Sequence, residues 1–368
     1  MKRILHVVST LEQGGMETVV LNYFAHMPKD EIMFDFLVIY GSKRGYHEDY
    51  LLSQGCKIFK LQNPPNKYFA HGNELKKFFA GEKYDIVHIH AMTSLRYRVA
   101  KAAKKSGVAT VIYHSHTALC ERHKILHSLI KHKLNKWCDY KFACSEIAGK
   151  FMYSGEFQII HNAIDIKRFG YDMATRENLR SEYELNDKYI IGHIGRFVGL
   201  KNQQFLIKIM PYVKRVNKNA MLFLVGDGET KEDLQKMVNS SDLSTDIIFA
   251  GNVGTDVYKY YNMFDCLAFP SHFEGLSMVL IEAQANGLPI IASNTLSCEH
   301  KIAENFTFMP IDESEATYEA WAECICNNFD NRKDNYMALQ NAGYDISKEH
   351  IELQTFYLNC DEKVVYKH

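Results

Sequence analysis

Glu274 and Glu282 flank the turn-forming run Gly275-Leu276-Ser277, just after the apolar segment Cys266–Phe269. Carboxylates so placed can accept hydrogen bonds from the hydroxyls of a polyol. The turn between them offers backbone N–H groups to an anion where a helix begins. Glu282 lies in the otherwise apolar run Met278-Val279-Leu280-Ile281-Glu282-Ala283. A carboxylate there is costly unless it is paired or meets a ligand hydroxyl. Arg196 and Lys201 occupy Gly195-Arg196-Phe197-Val198-Gly199-Leu200-Lys201-Asn202, after a second apolar segment, Tyr189–Ile194. A planar guanidinium fork and an ammonium point charge can converge on one diphosphate. Gly14-Gly15 follows the first apolar segment and could bring backbone donors to an anion, although a tight turn alone explains the pair equally well. Neither it nor Gly226-Asp227-Gly228 has the GxGxxG spacing of a dinucleotide fingerprint.

Positioning these groups requires strands that end where they stand. Short apolar runs at Ile4–Val8, Phe34–Ile39, Lys57–Leu61, Ile86–His90, Thr110–Tyr113, Tyr140–Ala143 and Gln158–Ile160 read as strands. Helix-length segments such as Met16–Met27, Glu74–Phe79 and Leu95–Lys105 lie between them. That rhythm predicts a parallel sheet covered on both faces. It stops in the polar stretch Arg168–Lys188 and restarts at Tyr189–Ile194, Met221–Val225, Ile247–Phe249, Cys266–Phe269 and Pro289–Ala292. The expected architecture is therefore α/β, with two doubly wound halves and ligands beyond the carboxyl ends of the strands.

The chain has 368 residues, 46% hydrophobic and 24% charged, which suits two domains with full cores. A net charge of -1 gives no global reason to expect nucleic acid. No apolar run approaches the ~20 residues of a membrane-spanning helix. The apolar stretch after Met1-Lys2-Arg3 is too short for a signal peptide. Nine scattered cysteines without CxxC pairs read as free thiols of a reducing cytosol rather than disulfides or a zinc site.

Taken together, Arg196…Lys201, Gly226-Asp227-Gly228, Phe249-Ala250-Gly251 and Glu274-x7-Glu282 resemble the donor-binding domain of retaining GT-B glycosyltransferases of family 4. The first half is similar too, through Gly14-Gly15, His114-Ser115-His116-Thr117, Cys144-Ser145-Glu146 and Ile160-His161-Asn162-Ala163-Ile164-Asp165. The pattern resembles bacterial enzymes that build capsular and exopolysaccharide repeat units. It implies the GT-B fold, two Rossmann-like domains facing across a cleft. Residues 1–165 would form an acceptor-binding domain and residues 166–345 a nucleotide-sugar-binding domain. Residues 346–368 would form a helix packing back toward the first.

The resemblance also implies roles. Arg196 and Lys201 would hold the donor diphosphate, and Glu282 the ribose. Glu274 with the backbone of Gly275, Leu276 and Ser277 would hold sugar and phosphate, with Gly226 nearby. Gly14 and Gly15 would cap the phosphate. The histidine that contacts the donor sugar maps to His116, because Thr117 follows it; His114 is the rival assignment. Asn162-Ala163 departs from the commoner Asn-Gly, and Ser277 from small residues or proline. No cofactor or metal is expected, and no Asp-x-Asp is present. The implied reaction moves a hexose from a nucleotide sugar, a UDP-sugar by preference, to a polyprenyl-diphosphate-linked saccharide. The alternative is a nucleotide-sugar 2-epimerase on the same two-domain plan, which would need no lipid-facing surface.

Between Asp85 and Asp139 the only acidic residue is Glu121, against ten Lys and Arg. Within Glu121–Trp137, Ile125, Leu126, Leu129, Ile130, Leu134 and Trp137 recur at helical spacing. This predicts one amphipathic helix that packs part of its stripe on the sheet. It would turn Arg122, Lys124, Lys131 and Lys133 toward an anionic membrane, each cation contributing about 1 kcal/mol near the surface. The expected location is cytoplasmic, peripheral on the inner face of the plasma membrane. Nucleic acid is not expected, because no aromatic-interleaved basic groove accompanies the charge.

Overall fold

A computed structural model describes residues 1–41, 43–117, 124–327 and 332–360. The chain forms two compact units: Met1–Ala163 together with the segment from Ile346 onward, and Ile164–Asp345. Among the described residues the first unit holds seven strands, β1 (Lys2–Val8), β2 (Ile32–Val38), β3 (Ile58–Lys60), β4 (Ile86–Ala91), β5 (Thr110–Ser115), β6 (Tyr140–Ala143) and β7 (Gln158–Ile159). They form one sheet in the order β3-β2-β1-β4-β5-β6-β7, parallel throughout. The second holds β8 (Tyr189–Ile194), β9 (Ala220–Val225), β10 (Ile247–Gly251), β11 (Cys266–Phe269), β12 (Ile290–Ser293) and β13 (Phe306–Met309), in the order β10-β9-β8-β11-β12-β13. Both sheets reverse direction of growth beside their first strand, which places ligand sites at the carboxyl ends of the central strands. Two doubly wound Rossmann-like units, as the sequence led one to expect, are what the chain builds.

Central strands are buried on both faces, as β4, β5, β8 and β9 are along their whole length. Parallel sheets demand this, because crossover helices cover each side. The helix Gln203–Val216 illustrates the fit. Phe205, Leu206, Ile209, Met210 and Val213 make one apolar face and pack with Leu222, Leu224 and Trp321 in the core of the second unit. Trp321 satisfies its one polar atom by donating Nε1–H to the Pro310 carbonyl at 2.6 Å. In the first unit, the helix Ile346–Asn359 sets Phe356 against Tyr140 and Phe142.

Two sequence expectations change. The edge strand β13 was not anticipated; its four residues follow Glu304-Asn305, whose polarity masks so short a run. The single amphipathic helix over Glu121–Trp137 is broken. Residues 118–123, Arg122 among them, lie outside the described residues. Beyond them come a helix Lys124–Ile130, a 3-10 turn Lys131–Lys133 and a last helical turn Leu134–Trp137. Every described cysteine is a free thiol, as expected.

Candidate active site

In the second unit, the loops after β8 and β11 are tied by backbone and amide hydrogen bonds. His272 N–H donates to the Leu200 carbonyl at 2.9 Å, and Asn202 Nδ2 to the Pro270 carbonyl at 3.3 Å. Asn202 holds φ +55°, a left-handed conformation that asparagine tolerates better than most residues, and it starts the helix Gln203–Val216. These ties bring Lys201 Nζ to 2.6 Å from Glu274 Oε1, an ion pair with both side chains largely buried. Lys201 Nζ also lies 4.9 Å from the centre of the Phe269 ring. Arg196 stays exposed on the same loop, its carbonyl accepting from Gln203 Nε2 at 3.0 Å.

Gly226 is needed for packing. It holds φ +139°, and a Cβ there would lie 2.0 Å from the Gly195 carbonyl oxygen, so the β8 and β9 loops meet only through glycine. The Phe197 N–H donates to the Asp227 carbonyl at 2.9 Å, which fixes the loop that carries Arg196.

Gly275–Ser277 leads into the helix Met278–Ala285, with Ser277 as its N-cap; no side chain caps that end. Glu282, on this helix, is buried and accepts a hydrogen bond from Tyr261 Oη at 2.6 Å. Burial pushes its carboxyl up to about 7, against the opposing pull of Tyr261 and Arg168. The unfolded chain releases that proton near the ordinary glutamate value of about 4.3. The folded state therefore binds the extra proton in the window between, and the stability this contributes is present below that value and lost as pH rises to 7. Glu282→Gln removes the dependence. Its melting temperature relative to the unmodified protein should rise by roughly 5 °C between pH 5 and pH 8. A difference that stays constant across that range would show that Glu282 ionises normally.

In the first unit, Gly14 caps the helix Gly15–His26, and a Cβ on Gly14 would lie 2.5 Å from Glu17 Oε2. The carboxylate thus folds over the turn that the resemblance assigns to phosphate, and burial raises its pKa. Beside it stands a feature the sequence reading missed. His6 on β1, His88 and His90 on β4, and His114 and His116 at the end of β5 lie together, since alternate residues share a face and the register pairs His6 with His88 and His90 with His114. The period-two spacing His88-x-His90 and His114-x-His116 was the available signal. Burial lowers all five pKa values, to about 3 for His6 and His116. Of the two candidate histidines, His114 is buried and His116 keeps partial exposure. Among the described residues, His6, His88 and His90, and again His90, His114 and His116, bring one ring nitrogen each to within 4.8 Å of one another, close enough to share a metal ion.

Tyr261, Asn202 and Glu17 had no sequence signal as site residues. Nor had His193, which is buried, gives its Nδ1 to the Ala268 carbonyl at 2.9 Å and leaves Nε2 unpartnered just before the Arg196 loop.

Two Rossmann-like units, the second with cations, carboxylates and a helix N-terminus at its strand ends, are the arrangement expected of the GT-B class. Family models agree: one described as "Glycosyl transferases group 1" matches residues 175–344, and one described as "Glycosyltransferase Family 4" matches residues 13–168. The putative glycosyltransferase EpsF of Bacillus subtilis is 30% identical over 345 residues, 88% of this chain and 87% of that protein. An Escherichia coli UDP-Gal:alpha-D-GlcNAc-diphosphoundecaprenol alpha-1,3-galactosyltransferase is 26% identical, covering 79% of each chain. The crystal structure of Anabaena Alr3699/HepE in complex with UDP and glucose superposes with a TM-score of 0.80 at 16% identity, covering 98% of this chain and all of that one. The chain belongs to the family-4 glycosyltransferases and is a GT-B glycosyltransferase of the bacterial polysaccharide type.

Proposed function

We propose that this glycosyltransferase is a retaining, metal-independent enzyme. It moves a hexose from a UDP-sugar to a polyprenyl-diphosphate-linked saccharide during assembly of a bacterial surface polysaccharide. The observation that carries the reading is the buried Lys201–Glu274 pair on the strand-end loops, with Glu282, bonded to Tyr261, on the helix that follows. Arg196 and Lys201 neutralise the charge that grows on the departing diphosphate. Backbone N–H groups of Gly275, Leu276 and Ser277 add the positive end of a helix. Glu282 exchanges hydrogen bonds with the ribose, and Glu274 with the hexose. Gly14 and Gly15 approach the phosphate, and His116 the sugar near its anomeric carbon. The name of the E. coli relative supports a UDP-sugar and a lipid-linked acceptor. Cationic side chains take the place of a metal, so full turnover is expected in excess EDTA; loss restored by Mg²⁺ or Mn²⁺ would overturn that. In a thermal-shift screen, UDP-hexoses should stabilise the protein more than GDP-hexoses, and the opposite order would reassign the donor.

No helix among the described residues is long and apolar enough to cross a membrane. The basic segment nevertheless presents apolar groups outward: Ile125, Leu126 and Leu129 are 79%, 48% and 63% exposed, while Ile130 and Leu134 are buried. Half of the stripe is therefore available to a bilayer, in the segment that carries Lys124, Lys131 and Lys133. This supports peripheral membrane binding, and the cytoplasmic face follows from the proposed use of a nucleotide sugar. Reversing Arg122, Lys124, Lys131 and Lys133 to glutamate should abolish sedimentation with anionic vesicles. It should slow transfer to a lipid-linked acceptor and leave donor hydrolysis near normal. Vesicle binding that survives the reversal, or hydrolysis that falls equally, removes the membrane role.

A further inference from the structure

The imidazoles of the first unit are joined in chains. His6 Nδ1 lies 2.8 Å from His90 Nε2, and His90 Nδ1 lies 2.9 Å from His116 Nε2. A second chain runs from Tyr357 Oη to His88 Nδ1 at 2.6 Å, and from His88 Nε2 to His114 Nδ1 at 3.2 Å. In the first chain only the two terminal atoms, His6 Nε2 and His116 Nδ1, are buried without a partner.

A neutral imidazole carries one N–H and one bare nitrogen, so in a run of N–H···N bonds the direction of one bond sets all the others. Two registers are open to His6–His90–His116. In the first, His6 Nδ1–H donates to His90, His90 Nδ1–H donates to His116 Nε2, and His116 keeps its proton on Nδ1. In the second every bond reverses, and the leftover N–H sits on His6 Nε2. That atom lies on a ring packed against Phe34, its centre 4.0 Å away, and Phe36, 5.8 Å away. A void of about 10 Å³ beside the cluster is walled by carbon and offers no polar partner. An orphaned buried N–H is the rarer and costlier defect, whereas a bare ring nitrogen among aromatics is better tolerated. Each register leaves one such N–H without a protein partner, on His116 Nδ1 in the first and on His6 Nε2 in the second, and only the His116 residue is partly exposed, so the first register prevails. It carries the donor to His116, the one ring of the three with residual exposure.

We propose that His6 and His90 are positioning residues that hold His116 in the Nδ1–H tautomer, so that it offers a neutral hydrogen-bond donor to an oxygen of the sugar-nucleotide. The proposal rests on His116 contacting the donor, as read above. Burial keeps the three rings neutral, which a fixed bond direction requires, since an imidazolium donates from both nitrogens and no longer ties the direction of one bond to that of the next. The short N···N separations favour shared protons over a shared metal ion.

The test is nitrogen-15 NMR of the histidine-labelled full chain, with His116 assigned by its loss in His116→Ala. His116 should show the Nδ1–H form, the minority tautomer of free histidine. In His90→Phe it should revert toward Nε2–H, with kcat reduced about tenfold and KM for the donor little changed. His90→Asn, whose amide reaches the place of Nδ1, should restore both tautomer and turnover. His6→Phe, which leaves the His90–His116 contact intact, should give a smaller change of the same sign and serves if His90→Phe does not fold. An Nε2–H form in the unmodified protein, or a tautomer indifferent to His90→Phe, overturns the proposal. So does a bound transition metal whose removal by EDTA alters these signals. If the tautomer behaves as described but His116→Ala turns over normally, the failure lies in the donor contact and not in the chain.

Discussion

Replacing Lys201 or Glu274 with alanine is expected to lower turnover about 10²-fold or more in each case, since each removes a preorganised charged group at the reacting centre. The two are held 2.6 Å apart by loops that hydrogen-bond to each other. Each therefore sets the other's position and compensates its charge. Removing one strands the other in a largely buried setting, and the double variant should be scarcely worse than the poorer single. Steady-state turnover, with melting temperatures to confirm folding, checks this. Near-normal turnover in both single variants would detach the donor site from these loops.

His116→Ala should reduce transfer about 10²-fold, and His114→Ala less than tenfold. The geometry separates the two neighbours. His114 is buried against His88 and Phe142, and bonds through Nδ1 to His88. Its loss opens a cavity and should show mainly as a lower melting temperature, by an amount typical of large-to-small core changes. His116 keeps partial exposure at the end of β5. Turnover measured beside melting temperature gives the ranking, and the reverse order would move the sugar contact to His114.

Twelve of the thirteen strands among the described residues were legible because parallel strands buried on both faces read as continuous apolar runs separated by helix-length segments. Only β13 escaped, an edge strand of four residues. The Glu274 and Glu282 pair was legible for a related reason, since a carboxylate inside an apolar run calls for a partner. Which partner was not: Tyr261 comes from the helix Val257–Met263, and no spacing in the sequence connects it to Glu282. The imidazole chain was hidden in the same way. Each His-x-His pair looks ordinary alone, and only the register of three adjacent strands assembles them. The basic segment failed differently. Its helical periodicity was real, but a 3-10 turn at Lys131–Lys133 interrupts it and leaves half of the apolar stripe outside. Periodicity identifies a face; it does not say whether the face meets protein or something else.

The most direct measurement is the fate of a UDP-hexose incubated with the purified chain and a polyprenyl-diphosphate-linked saccharide. Proton NMR follows the nucleotide and the new anomeric centre. Release of UDP, with the hexose joined to the acceptor in the anomeric configuration it had in the donor, is the expected result. Inverted product would contradict retention, and an epimerised nucleotide sugar with no UDP released would contradict glycosyl transfer itself.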